Sequence, residues 1–196
     1  MERRSGGRGG GTDGGVMRRI VVTGPESTGK TTLAAALAAR FEAPLLAEAA
    51  RAFAEARRAE GRELAADDAA PIARMAIAAD DDAVASGAPL VVCDTDLVST
   101  VLYTRHYYGP APVWMEDAAR ARRGDLYLLC DVDLPWIPDG VRDRPDARAA
   151  FHRLFAETLR EFDCTVLGIG GAGDARLAAA LGALNASGLL TTAGPR

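Results

Sequence analysis

The segment IVVTGPESTGKTT, residues 20–32, decides the fold of this chain. Residues 20–23 form a short run without polar alternation, which is typical of a strand buried on both faces. Residues 24–31 match the phosphate-loop pattern G-x-x-x-x-G-K-[ST], the Walker A motif. The Ala- and Leu-rich residues 30–41 predict a helix directly after the loop. A phosphate loop requires this strand–loop–helix context, and the sequence provides it.

Each residue type in the loop has a chemical role. Glycines let the backbone wrap a β-phosphate and turn its N–H groups inward, and the helix N-terminus adds positive field. Lys30 is expected to bridge the β- and γ-phosphates, while the Thr31 hydroxyl is offered to Mg²⁺. The sequence therefore predicts ATP and Mg²⁺ as cofactors. The expected ATP-binding residues are Gly24, Glu26, Ser27, Thr28, Gly29, Lys30, Thr31 and Thr32.

Lysine usage supports the same site. Of the 23 basic residues, Lys30 is the only lysine, and all the others are arginines. The exception lies where a phosphate loop needs a compact ammonium group on a flexible side chain. The guanine-recognition pattern N-K-x-D is excluded, because no second lysine exists. The chain therefore does not resemble a GTPase.

Composition excludes other classes of protein. The 196 residues are 48% hydrophobic, as expected of one globular domain. A net charge of -4 argues against a nucleic-acid surface, and no apolar run approaches the roughly 20 residues of a membrane helix. Three widely spaced cysteines indicate buried thiols in a reducing compartment. We expect a cytoplasmic protein, with a homo-oligomer left open.

Short apolar runs alternate with helical stretches along the chain, which predicts an α/β P-loop NTPase or kinase fold: a mostly parallel five-stranded sheet with helices on both faces. A lid loop is expected at 135–145, which is dense in Pro, Gly, Asp and Arg. The predicted strands are 20–23, 44–47, 89–93, 126–130 and 166–169; the predicted helices are 30–41, 48–60, 66–86, 97–107, 112–122, 147–162 and 174–185.

Both ends of the chain are predicted to lie outside the domain. Residues 1–18 are rich in glycine and lack a hydrophobic stretch, so they are expected to form a flexible tail and not a signal peptide. The kinase domain is expected at 19–187, and a second flexible tail at 188–196.

Charged residues follow the second and third predicted strands, where ligands of a parallel sheet bind. Glu48 and Arg51 lie one helical turn apart, and Asp94 and Asp96 end the string VVCDTD. Carboxylates here can orient an acceptor hydroxyl and hold a metal. Two alternatives remain: Glu48 as a helix-start acid and Asp96 as a helix cap.

A lid that bears arginines, beside these carboxylates, favours a small-molecule kinase, because such a lid neutralises the transferred phosphoryl group and excludes water. A translocating ATPase is normally larger. A nucleotide-sensing module remains an alternative, since it would bind ATP without an acceptor.

Five strings together resemble the ribosylnicotinamide kinase domain of the bacterial NAD-biosynthesis regulator family: GPESTGKTTL, AEAAR, VVCDTD, YTRHYYG and DLPWIPDGVR. The resemblance spans about residues 18–170. It implies transfer of the ATP γ-phosphate to the ribose 5′-hydroxyl of nicotinamide riboside. It places Asp94 and Asp96 near the metal and the ribose, Arg142 in the lid, and Trp136 and Tyr107 at the pyridinium ring, where cation–π attraction operates.

The chain departs from the family pattern at Ala49, where an aromatic residue is usual, and at Pro138, where an aspartate is usual. A kinase of another nucleoside or small metabolite therefore stays as an alternative. The expected catalytic residues are Lys30, Asp94, Glu48 and Arg142; the substrate-binding residues are Glu48, Arg51, Asp94, Asp96, Tyr107, Trp136 and Asp139; and the metal ligands are Thr31 and Asp94.

Overall fold

The computed structural model describes residues 17–135 and 148–190. Within them, five parallel strands form one sheet and seven α-helices surround it. The strands are β1 (Arg18–Thr23), β2 (Leu45–Leu46), β3 (Leu90–Asp94), β4 (Leu126–Cys130) and β5 (Val166–Ile169). The helices are α1 (Lys30–Phe41), α2 (Ala49–Ala59), α3 (Ala69–Ala85), α4 (Leu97–Tyr108), α5 (Val113–Ala121), α6 (Arg148–Glu161) and α7 (Gly173–Ser187).

The strand order β2-β3-β1-β4-β5 puts β1 at the centre of the sheet. All pairings are parallel, with Val21 opposite both Cys93 of β3 and Tyr127 of β4. The chain first builds the β2–β3 side of β1 and then crosses to the β4–β5 side. This change of direction opens a crevice at the carboxyl end of β1, where ligands of such sheets bind. The predicted parallel α/β fold is confirmed.

Alternate side chains of the central strands point to opposite faces of the sheet and belong to two hydrophobic cores. Val21, Cys93 and Tyr127 point into a larger core with α3, α4, α5 and α6. Ile20 and Val22 point into a second core with α1 and α7. Because both faces are covered, the strands have no polar alternation, which is why they were recognisable as apolar runs. Among the described residues, none of the helices is both long and apolar enough to cross a membrane.

The packed region differs slightly from the expected limits. Met17 is buried in the larger core and β1 begins at Arg18, so the packing starts before residue 19. Leu189 and Leu190 pack against the second core, beyond the expected limit at 187. Burying apolar side chains next to a terminal strand or helix is favourable in free energy. These side chains therefore join the core, although the glycines beside them are typical of a flexible tail.

Candidate active site

Backbone geometry shapes the loop between β1 and α1. Gly24 has a φ of 137°, and a Cβ there would lie 3.0 Å from the carbonyl oxygen of Cys130, so only glycine fits this contact. Gly29 adopts the left-handed conformation (φ 76°) immediately before Lys30 begins α1. The loop therefore leads directly into α1, whose N-terminus faces the crevice, as an anion-binding site requires.

Lys30 lies inside the loop. The residue is only 8% exposed, and its Nζ donates a hydrogen bond of 2.8 Å to the carbonyl oxygen of Pro25. The same carbonyl accepts a 2.8 Å bond from the Thr28 hydroxyl. The loop's own backbone thus holds the ammonium group at the cradle, where phosphate oxygens can replace a neutral carbonyl as its acceptor.

Thr31 and Asp94 meet across the crevice. The Thr31 hydroxyl donates a 2.6 Å hydrogen bond to Oδ2 of Asp94, which is the last residue of β3 and not the residue after it. Oδ1 of Asp94 is buried and has no hydrogen-bond partner in the described part of the chain. An orphaned buried carboxylate oxygen beside a hydroxyl suits Mg²⁺, which uses one or two protein oxygens together with phosphates and water.

This fit does not need a cluster of acidic ligands. The described residues contain no group of three or more His, Cys, Asp or Glu side chains able to hold a metal ion. A divalent ion at Thr31 and Asp94 would accordingly take its other ligands from the nucleotide and from water.

Thr95 holds an unusual backbone conformation next to Asp94. Its φ is 64°, which is costly for a β-branched residue, and its N–H donates a 2.9 Å bond to the carbonyl oxygen of Val22. Left-handed β-branched residues concentrate at functional sites, where surrounding packing enforces them. Here the turn directs the chain from β3 into α4 and leaves the Asp94 carboxylate facing Thr31.

Asp96 caps α4, the alternative that the sequence left open. Its Oδ1 accepts hydrogen bonds from the backbone N–H groups of Val98 and Ser99 at 3.1 and 3.2 Å. Its Oδ2 accepts a 2.5 Å bond from the Tyr127 hydroxyl. Burial raises the pKa of Asp96 to about 6, although these bonds oppose the shift. Asp96 also lines the cavity described next, so its position serves both the helix and the site.

A cavity of about 510 Å³ opens between the sheet and helices α2, α3 and α4. Alanines of α3 form part of its lining, and their short side chains leave space on that wall. Its wall combines carboxylates, arginines, hydroxyls and aromatic rings, which suits a polar ligand with a flat ring. Lining residues relevant to the chemistry are Glu48, Ala76, Thr95, Asp96, Tyr103 and Tyr107.

Glu48 and Arg51 occupy different environments. The Glu48 side chain is 11% exposed and lies on the cavity wall, and it makes no capping hydrogen bond at the start of α2. Arg51 is 46% exposed, lies outside the cavity lining, and contacts Glu48 through Nε at 3.6 Å. The structure therefore brings Glu48 to the cavity, with Arg51 behind it as a charge partner.

Two tyrosines of α4 connect the cavity with the phosphate loop. Tyr103 is buried, and its hydroxyl donates a 3.1 Å hydrogen bond to Oε1 of Glu26 in the loop. Its ring lies parallel to that of Tyr107, with centroids 6.3 Å apart. The cavity and the phosphate loop are thus neighbours, as two substrates that react with each other require. Trp136, Asp139 and Arg142 lie outside the described residues, as does the predicted lid after Pro135.

Sequence reasoning missed two buried arginines beneath the loop. Arg148 donates to the carbonyl oxygen of Ser27, and Arg176 donates to that of Thr28. Each arginine is an ordinary helix residue, 121 and 148 positions away from the carbonyl that it contacts. No local sequence pattern distinguishes these two arginines from the others. Because almost every basic residue of the chain is an arginine, residue type gives no signal either.

Comparison with known proteins identifies relatives of this architecture. The family model described as AAA domain matches residues 19–176. The trifunctional NAD biosynthesis/regulator protein NadR of Salmonella typhimurium is 30% identical over 149 residues, which cover 74% of this chain and 36% of the relative. The Escherichia coli protein of the same name gives the same values. The chain thus spans about a third of the length of these curated relatives.

Solved structures agree with these matches. A NadR protein in complex with NR has a TM-score of 0.69 at 29% identity, covering 92% of this chain and 53% of that one. A NadR protein in complex with NAD and AMP-PNP has a TM-score of 0.65 at 28% identity, covering 87% and 49%. Thymidylate kinase from Ehrlichia chaffeensis, 14% identical with a TM-score of 0.63 over 87% of this chain and 98% of its own, shares the fold alone. The resemblance to the NAD-biosynthesis regulator family is confirmed.

Proposed function

The chain belongs to the AAA domain family, and from that premise we propose that it is an ATP-dependent ribosylnicotinamide kinase. It transfers the γ-phosphoryl group of ATP to the ribose 5′-hydroxyl of nicotinamide riboside and gives nicotinamide mononucleotide. The relative solved with NR aligns with 92% of this chain at 29% identity, which supports the proposal.

The observation that carries the proposal is the cavity wall beside the phosphate loop. The nicotinamide ring of the riboside is a pyridinium cation. Carboxylates at Glu48 and Asp96 attract that charge, and the faces of Tyr103 and Tyr107 offer cation–π contact. The Tyr103–Glu26 hydrogen bond joins this wall to the loop, so an acceptor here lies next to the triphosphate.

The loop residues neutralise charge in this proposal. Lys30 exchanges its bond to Pro25 for phosphate oxygens, while backbone N–H groups of residues 24–31 hold the β-phosphate. Thr31 and Asp94 hold Mg²⁺, which would screen the negative charge of the phosphates. We assign Arg142 to the lid that closes on the transferred group.

Acceptor contacts fall to the residues around the cavity. Glu48, whose side chain is mostly buried and makes no capping hydrogen bond, orients the 5′-hydroxyl and takes its proton late in the reaction. Asp96 and Tyr107 line the ribose and ring positions, and we assign Trp136 and Asp139 to the same pocket. Arg51 is the charge partner of Glu48.

We assign the kinase domain to about residues 19–187, its location to the cytoplasm, and its metal to Mg²⁺. The partners are small molecules, and the acidic composition argues against nucleic acid.

A direct assay tests the activity. Purified protein is incubated with ATP, Mg²⁺ and nicotinamide riboside, and nicotinamide mononucleotide is followed by chromatography, with uridine, cytidine and adenosine as competing acceptors. We expect mononucleotide from the riboside and little ATP consumption without an acceptor. ATP consumption that does not depend on any acceptor would contradict a kinase; preference for another nucleoside would contradict this acceptor.

Two variants separate the carboxylate roles. Asp94→Asn is expected to raise the Mg²⁺ concentration needed for half-maximal rate, because it weakens a metal ligand. Glu48→Gln is expected to lower kcat by about 100-fold at unchanged Mg²⁺ dependence, because it removes the proton acceptor. If both variants shift only the Mg²⁺ dependence, the division of roles is wrong.

A further inference from the structure

Two buried guanidinium groups bind backbone carbonyls of the phosphate loop. Arg148, the first residue of α6, is 8% exposed, and its Nη2 donates a 3.0 Å hydrogen bond to the carbonyl oxygen of Ser27. Arg176 of α7 is 3% exposed, and its Nη1 donates to the carbonyl oxygen of Thr28. Consecutive carbonyls of the loop are thus each bound by a buried cation.

Other contacts hold both arginines in place. Nη1 of Arg148 donates a 3.0 Å bond to the carbonyl oxygen of Leu134. Nε of Arg176 donates a 2.6 Å bond to the carbonyl oxygen of Gly171, and its Nη2 pairs with Asp133. Oδ2 of Asp133 in turn accepts a 2.6 Å bond from the Gly171 N–H. The loop is therefore anchored to the chain segments that follow β4 and β5.

The chemistry of the peptide group links these contacts to the nucleotide. In a trans peptide the C=O of one residue and the N–H of the next point in opposite directions. The carbonyl of Ser27 shares a peptide group with the N–H of Thr28, and that of Thr28 with the N–H of Gly29. A cation bound to the carbonyl oxygen fixes the direction of the N–H group in the same peptide. It also polarises that N–H, because hydrogen bonds in series strengthen one another.

We propose that Arg148 and Arg176 are positioning residues of the phosphate loop, which aim and polarise the N–H groups of Thr28 and Gly29 toward the nucleotide phosphates. The proposal rests on ATP use by the loop, a part of the proposed function, and does not depend on the acceptor. Neither arginine lines the acceptor cavity. Both carry positive charge close to the place where the triphosphate accumulates negative charge, which adds to the field of the α1 N-terminus.

The test compares a nucleotide with phosphates and one without. Arg176→Met and Arg148→Met keep the length of the side chain and lose its charge and donors. We expect the Kd for ADP to rise by about tenfold to a hundredfold, the range for a hydrogen bond to a charged group, with the Kd for adenosine within twofold of wild type. Exposed Arg153 of α6, changed to Met, is the matched control and should leave both constants unchanged.

Amide NMR provides a readout that a purely structural role would not move. Addition of ADP to the wild type should shift the Thr28 and Gly29 amide protons downfield. Arg176→Met should reduce the Gly29 shift selectively, and Arg148→Met the Thr28 shift. Arg176→Lys, which keeps the charge but not the fork of donors, should restore part of the ADP affinity.

Two results would overturn the proposal: ADP affinity within twofold of wild type in the folded variants, or equal losses for ADP and adenosine. If the methionine variants do not fold, Asp133→Asn replaces them, because it removes the negative charge that pairs with Arg176 while the amide oxygen can still accept the Gly171 N–H bond. An unchanged ADP affinity in that variant overturns the proposal as well. All these measurements omit the acceptor, so failure to phosphorylate nicotinamide riboside would count against the proposed function alone.

Discussion

At the scale of single residues, the side chains of the loop and of the carboxylates carry the chemistry. Lys30 shows that composition can indicate a functional residue, because the only lysine of the chain is also the buried ammonium group in the loop. Asp94 shows what the structure adds: its bond to Thr31, and its second oxygen without a partner among the described residues, support the metal site that we propose there.

The loop should reject arginine at position 30, although arginine is the cation used everywhere else in the chain. Lys30→Arg keeps the charge, but the planar guanidinium is too broad for a cradle closed by the Pro25 carbonyl. We expect kcat/KM for ATP to fall by about 100-fold, measured by steady-state kinetics. Arg153→Lys, the reverse change at an exposed position, should have no effect. Activity of Lys30→Arg within threefold of wild type would show that only charge matters there.

At the scale of elements, α3 and the α2–α3 connection shape the acceptor side. Alanines of α3 line the cavity, and their short side chains leave space between this helix and the sheet. The connection folds over the cavity through a 3₁₀ turn at Ala66–Asp68, which takes the place of the first turn of the helix expected over 66–86, so that α3 begins at Ala69. Propensity alone did not indicate this later start, because the alanines around residues 65–70 favour helix throughout.

Filling the cavity from α3 should weaken acceptor binding selectively. Ala76→Leu adds a branched side chain to the wall, and we expect KM for the acceptor to rise by about tenfold while KM for ATP stays within twofold. Ala78→Leu, at an exposed position of the same helix, is the matched control. Parallel increases in both KM values would indicate a displaced helix instead of a filled pocket.

Asp68 should stabilise the α2–α3 connection in a pH-dependent way. Its Oδ1 accepts bonds from Arg57, its Oδ2 accepts a 3.0 Å bond from the Ala65 N–H, and hydrogen bonding to Arg57 lowers the pKa of Asp68. A lowered carboxyl pKa means stability that is present above the unfolded value of 3.8 and is lost as pH falls through the folded value.

We therefore expect Asp68→Asn to lower the melting temperature by about 3 to 6 °C at pH 7, with the difference from wild type shrinking as the pH falls below 4. Thermal unfolding measured between pH 3 and pH 7 checks this, with exposed Asp67→Asn as control. A difference that stays constant over this range would exclude the ionised pair as its cause.

At the scale of the whole molecule, two cores on either side of one parallel sheet make the fold a single packed unit. The second core includes α7 and continues to Leu189 and Leu190. A chain ending at Ser187 also loses Gly188, whose left-handed conformation ends α7.

Ending the chain at Ser187 should lower the unfolding free energy by about 2 kcal/mol, because two partly buried leucines leave the core. The corresponding fall in melting temperature is about 4 to 8 °C, measured by calorimetry. A chain ending at Leu190 keeps both leucines and should melt with the full-length protein. Identical melting of the two shortened chains would place the end of the cooperative unit at 187, as the sequence predicted.

By itself, the sequence determined the local features of this protein: the β1–loop–α1 unit, the order of strands and helices, and the apolar faces of the sheet. These follow from neighbouring residues, since a phosphate loop needs only eight consecutive positions and a buried strand only a short apolar run. Tertiary structure decided which distant groups meet. The bond between Asp96 and Tyr127, the lining of the cavity by α2, α3 and α4, and the bonds from Arg148 and Arg176 to the loop carbonyls all join residues far apart in the chain, and no local pattern encodes such contacts.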